Sequence, residues 1–105
     1  MDLKGLAEKI GLDEDEFAEL LELFIETCIS DLEKLKAGVA ENDARKVSEA
    51  AHSIKGASGN MGFEEIYELV KHIEMNAREK ILDNAMESAE LINREIQKIS
   101  RAMNQ

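Results

Sequence analysis

Apolar residues recur every three or four positions along most of this chain, the spacing of one face of an α-helix. The longest such stripe takes in Phe17, Leu20, Leu21, Phe24, Cys28, Leu32, Leu35 and Val39. Asp13 and Glu16 precede it in the D-x-x-E spacing of a capping box, so a long helix is predicted to open there. Ahead of it, Leu3, Leu6, Ala7 and Ile10 share one side of a short segment, about residues 2–10, which Gly11 ends. Asn42 or Asp43 caps the next helix, which turns Ala44, Val47, Ala51, Ile54 and Ala57 inward. It should stop within Gly59-Asn60-Met61-Gly62, where Gly62 suits a left-handed terminus. A further helix begins near Phe63 and buries Ile66, Val70, Ile73 and Ala77. Asn84 and Glu87 then form a box-like cap for a last one striped by Ala85, Ala89, Ile92, Ile96, Ile99 and Met103.

By these boundaries the connections are about four to six residues long, and links that short force neighbouring helices antiparallel. The predicted fold is all-α. It is an up-down-up-down antiparallel four-helix bundle over about residues 13–103, with the short N-terminal helix covering one end, and residues 1–105 form a single domain. Leu23 and Ile29 point away from the centre of their helix's stripe. The pattern predicts that the N-terminal segment or a neighbouring helix covers them; exposed apolar surface for a docking partner is the alternative.

Composition agrees with the class: no Pro, 4% aromatic and 34% charged residues suit long amphipathic helices better than strands. The single Cys28 excludes an intramolecular disulfide framework and offers no zinc pattern, and its place in an apolar stripe makes it a small buried hydrophobe. The N-terminus lacks the basic start and apolar block of a signal peptide, and no apolar run approaches the ~18 residues that span a bilayer. A soluble, cytoplasmic protein with a reduced thiol is expected. Net charge is −10, which repels nucleic-acid phosphates and anionic membranes and points to another protein as partner.

The chemistry concentrates between Ala50 and Gly62. At about 100° per residue, Val47, Ala50, Ile54 and Ala57 fall about 140–160° from His52, while Arg45, Ser48, Glu49, Lys55, Gly56 and Gly59 lie within about 60° of it. His52 therefore sits mid-way across the polar, outward side. Gly56 and Gly59 follow one and two turns on, each costing about 1 kcal/mol relative to Ala inside a helix. They remove side chains beside the imidazole and leave backbone that another protein can approach. Lys55 can bring a cation to the space above the ring. An exposed, approachable ring nitrogen beside a positive charge suits nucleophilic attack on a phosphoryl group. His72 matches no motif and reads as a solvated surface residue, and the run Asp13-Glu14-Asp15-Glu16 reads as a helix N-terminus favoured by the dipole.

The stretch His52-Ser53-Ile54-Lys55-Gly56-Ala57-Ser58-Gly59-Asn60-Met61-Gly62 resembles the H-x-[LI]-K-G-x-[SA]-x-x-x-G motif of histidine phosphotransfer (HPt) domains. Ala50-Ala51 before it and Ile73-Glu74 on the next helix also look like that family, and the resemblance runs from about Asp13 to Ala102. It implies a phosphoryl carrier of a multistep phosphorelay, not an enzyme. His52 would receive a phosphoryl group from a receiver-domain aspartyl phosphate and pass it to another receiver. Lys55 would help neutralise the phosphoryl oxygens and Gly56 would give access. By extension Gly59, Ser48 and Arg45 would belong to the docking surface. The implied partners are response-regulator receiver domains, with a hybrid histidine kinase as a further candidate. The receiver brings the acidic pocket and the divalent metal, so neither a metal site nor a cofactor is expected here.

A self-phosphorylating kinase fragment is disfavoured, because Ser53 stands where dimerising kinase helices place an acidic residue, and no glycine-rich ATP-binding segment is present. The phosphoacceptor domain of a chemotaxis-type or hybrid kinase remains open, although the Met start and the lack of linker-like ends favour a standalone protein. So does a helical adaptor whose His52 is never phosphorylated. A closed bundle with a polar outer face suggests a monomer; Leu23 and Ile29, if uncovered, would allow a dimer.

Overall fold

The computed structural model describes residues 2–104. It contains α1 (Leu3–Lys9), α2 (Glu14–Ala40), α3 (Ala44–Met61), α4 (Glu64–Arg78) and α5 (Ala85–Met103). The helix starts are chemically marked. Asp13 and Glu16 form the reciprocal capping box of α2, each side chain taking the other's backbone N–H. Asp43, rather than Asn42, caps α3 by accepting from the Lys46 N–H at 3.1 Å. The end of α3 is equally explicit: Gly62 adopts φ +78°, a left-handed conformation in which the Gly62 and Phe63 N–H groups reach back to the Gly59 and Ser58 carbonyls.

α2, α3, α4 and α5 pack in a ring, each against its chain neighbour, and α5 closes against α2. The expected up-down-up-down bundle is what forms. The core is aliphatic, with Leu21, Leu35, Val47, Ile54, Ile66, Val70, Ile92, Ile96 and Ile99 all but fully buried. Phe24 and Phe63 are its aromatic contact, with ring centroids 5.1 Å apart. α1 lies over the end where α2 begins and α5 finishes. Its Leu3 borders a cleft with Phe17, Leu21 and Met103, and its Leu6 and Ile10 border another with the α3–α4 turn.

The α2–α3 seam is especially close at Gly38. A Cβ there would come within 2.8 Å of Val47 Cγ2 and 3.1 Å of the Val47 backbone nitrogen. The role of Gly38 was not evident from its sequence position, since it continues an apolar stripe without a side chain.

Four expectations need correction. Leu23 and Ile29 are not covered: they are 59% and 40% exposed, because α1 packs over the bundle's end and not along the outer side of α2. The cap expected from Asn84 makes no side-chain hydrogen bond, so α5 starts without one. Two connections are shorter than expected, with only Glu41–Asp43 between α2 and α3 and Gly62–Phe63 between α3 and α4. Val39 and Ala57 are half-buried rather than central to the core.

Candidate functional site

α3 presents His52 outward with its side chain 66% exposed, while Val47, Ala50, Ala51 and Ile54 anchor the opposite side of the helix. The helix is uninterrupted through both glycines and ends only at Met61. A Cβ on Gly56 would meet nothing within 4 Å, so this position is open surface. Gly59 differs. A Cβ there would touch the Tyr67 ring of α4 at 3.4–3.5 Å, an ordinary packing distance. One glycine lies on open surface, and the other faces α4 with room for a Cβ.

The feature that sequence reasoning missed is Glu74. In the sequence it stands only as part of a resembling dipeptide, yet it is the centre of the site. α4 directs its side chain inward until only 3% is exposed, and three groups converge on it. His52 Nδ1 stands 2.7 Å from Oε2, Arg78 donates to the same oxygen at 3.0 Å, and Lys55 Nζ stands 2.6 Å from Oε1. Burial opposes ionisation of this carboxyl, but the hydrogen bonds from Lys55 and His52 and the charges of Lys55 and Arg78 outweigh it. They hold Glu74 below the usual carboxylate range. A signal did exist in the sequence: Glu74 directly follows a core residue on α4 and stands four before a cation, in the favoured Glu-to-Arg order.

This arrangement has a direct consequence for the ring. A carboxylate can only accept, so Nδ1 carries the hydrogen, and in the neutral form of the ring the lone pair falls on Nε2, on the side away from Glu74. Lys55 is correspondingly not above the ring, as its spacing suggested, but drawn down to Glu74 with a quarter of its side chain exposed. Arg45 pairs with Glu49 at 2.9 Å on the exposed side of α3, so the cation expected beside His52 is locally balanced. Ser48 is half-buried one turn before His52.

On the other flank, Ser53 donates to Asp31 of α2 at 2.6 Å, and Asp31 is only 7% exposed. That contact fixes the register of α2 against α3. In it, Thr27 and the exposed Leu23 come level with the Gly56–Met61 stretch, whereas Ile29 lies on the far side of α2. Cys28, next to this contact, is fully buried, and burial together with the nearby Asp31 pushes its thiol up to about 12.

Among the described residues, no group of three or more His, Cys, Asp or Glu side chains is placed to hold a metal ion, and no helix is long and apolar enough to cross a membrane. His72 lies exposed on the α4–α5 side of the bundle, away from His52, and borders a small cleft with Ile81 and Ser88.

Comparison with known proteins agrees with the fold. No curated protein matches the chain. A solved structure, that of histidine-containing phosphotransfer protein B (HptB) from Pseudomonas aeruginosa PAO1, superposes with a TM-score of 0.85 at 31% identity, covering 100% of this chain and 91% of that one. The family model of the Hpt domain matches residues 19–102, a span that contains all of α3 and α4 and so the entire His52–Glu74 cluster. The chain belongs to the Hpt domain family.

Proposed function

We propose that His52 is the phosphoacceptor of a phosphorelay, taking a phosphoryl group from a receiver-domain aspartyl phosphate and passing it to a second receiver. The observation that carries this reading is the Glu74–Nδ1 contact, which leaves Nε2 with its lone pair on an exposed edge beside open helix surface. In the forward step Nε2 attacks phosphorus, an N–P bond forms, and the P–O bond to the aspartyl carboxylate breaks. Nδ1 keeps its hydrogen throughout, so the ring becomes positively charged and Glu74 stabilises it in place. No base is needed to remove a proton, which suits a site whose next residue is Ser53. The reverse sequence, onto another receiver's aspartate, completes the relay.

Lys55 stabilises phosphoryl oxygens after leaving Glu74. Gly56 and Gly59 admit the receiver, and Leu23 adds apolar contact at the edge of the same surface; Ser48 and Arg45 extend it along α3. The acidic pocket and divalent metal come from the receiver, so this chain is a carrier and not a catalyst on its own.

The test is incubation with a receiver phosphorylated by labelled acetyl phosphate. Acid-labile, base-stable label is expected on the wild-type chain and none on His52→Ala. Label unchanged in His52→Ala would overturn the assignment, and absence of label across many receivers would favour a helical adaptor.

A further inference from the structure

Lys55 poses a problem that the resting structure also answers. Its ammonium lies 2.6 Å from Glu74 Oε1, on the carboxylate and not at the nucleophile. To meet a phosphoryl group on Nε2 it has to leave. Glu74 is almost entirely buried, and a buried carboxylate stripped of its cation is strongly destabilised. The ring gains its own positive charge only as the N–P bond forms, so until then some other charge has to remain on the carboxylate.

Resting on the phosphoacceptor reading above, we infer that Arg78 is a positioning residue that keeps Glu74 neutralised while Lys55 moves to the phosphoryl group. Arg78 rises from the carboxylate's own helix, one turn on, and donates at 3.0 Å to Oε2, the oxygen that also holds His52 Nδ1. Lys55 takes the other oxygen and rises from the phosphoacceptor's helix, on its outward side, one turn from His52. The two cations therefore divide the carboxylate between them. Lys55 can depart without disturbing Oε2, and the ring stays clamped because its clamp stays charged and paired. Guanidinium suits the permanent place, since it does not lose its proton and its fork gives directional donors. The compact, mobile ammonium suits the travelling one.

The inference makes Arg78 act only through the charge of Glu74, and that can be separated from direct contact. Single-turnover transfer from a phosphorylated receiver is followed over a range of receiver concentrations for wild type, Arg78→Met, Arg78→Lys, Glu74→Gln and the Arg78→Met/Glu74→Gln double variant. Arg78→Met is expected to slow the saturated transfer rate about tenfold, a loss typical of a displaced orienting partner. The half-saturating receiver concentration should be unchanged, and Arg78→Lys should recover most of the rate. In the Glu74→Gln background, where no charge needs holding, removing Arg78 should change nothing. A tenfold loss that persists there would mean that Arg78 touches the phosphoryl group or the receiver directly, and would overturn the inference. So would a change confined to the half-saturating concentration, or wild-type rates in Arg78→Met. The His52→Ala control separates the two levels. Label surviving in it refutes the phosphoacceptor reading and this inference together, whereas wild-type rates in Arg78→Met, with label lost in His52→Ala, refute only the role of Arg78.

Discussion

His52 and Ser53 are consecutive on α3, and each reaches a buried carboxylate on a flanking helix, one on either side. Ser53 meets Asp31 of α2 at 2.6 Å, and His52 meets Glu74 of α4 at 2.7 Å. The separations in sequence are the same, 22 residues in both directions. What surrounds the carboxylates is not the same. Glu74 carries Lys55 and Arg78 besides the imidazole, whereas Asp31 makes no ion pair among the described residues. Asp31 is a latch between two helices, met by a hydroxyl and by no cation. Glu74 is a charged hub, and a group that gains charge during a reaction needs the hub and not the latch. The α2–α3 seam fixes geometry, and the α3–α4 seam adds electrostatics to it.

The sharpest way to break this contrast is to remove each carboxylate in turn. Glu74→Leu should slow phosphotransfer about 100-fold through loss of the orienting and charge-balancing partner, with helical content unchanged by circular dichroism. Asp31→Asn, which keeps an acceptor for Ser53, should stay within about twofold of wild type in the same assay. Comparable losses in the two variants would erase the distinction between hub and latch.

Acid supplies a second test. The carboxyl of Glu74 is held below its ordinary value of 4.5, so its ionised form favours the folded state. That stabilisation is complete above the ordinary value and fades as pH falls through the lower folded value. Urea midpoints of wild type and Glu74→Gln, measured at neutral pH and again well below 4.5, should therefore converge on acidification. A gap that widens in acid would reverse the sign assigned to the hub.

Smaller effects separate the cleared surface from both seams. Gly56→Ala should raise stability by about 1 kcal/mol in thermal melts, because the open position accepts a Cβ and Ala is the better helix former. Gly56→Leu should fold comparably and yet transfer more slowly, since its side chain would occupy the approach proposed for the receiver. The smallest change expected is in Asp31→Asn stability, a shift of at most about 1 kcal/mol in urea melts.

Much of this was legible in one dimension. A 3.6-residue period can be read directly, so the bundle, the cap at Asp13, a cap at Asn42 or Asp43, the terminus at Gly62 and the outward direction of His52 followed from spacing. Gly56 could be read as cleared surface because nothing in its helix explained it. Glu74 was harder, since its meaning comes from a second helix and only the packing of α3 on α4 brings it to His52. Asp31 hid for the same reason, though its place between Cys28 and Leu32 in a buried stripe marked a carboxylate that needed a partner. Lys55 illustrates the opposite error: spacing gave its reach correctly but could not show that a buried charge nearby would claim it. Leu23 and Ile29 stayed exposed because periodicity locates a helix's face without saying how far a short capping helix extends along it.

The two-residue turn at Gly62 has a consequence for how the site comes into being. It makes α3 and α4 a tight hairpin, and His52 and Glu74 belong wholly to it. The entropy lost in closing so short a separation is small beside that of docking α5 on α2, whose ion pair between Lys36 and Glu90 joins distant parts of the chain. The site is thus made of low-contact-order interactions, which should outlast partial opening elsewhere in the molecule. Amides of α3 and α4 around the pair should exchange with solvent hydrogen more slowly than those of α1. His52 should keep its orientation in any molecule whose capping helix has momentarily let go.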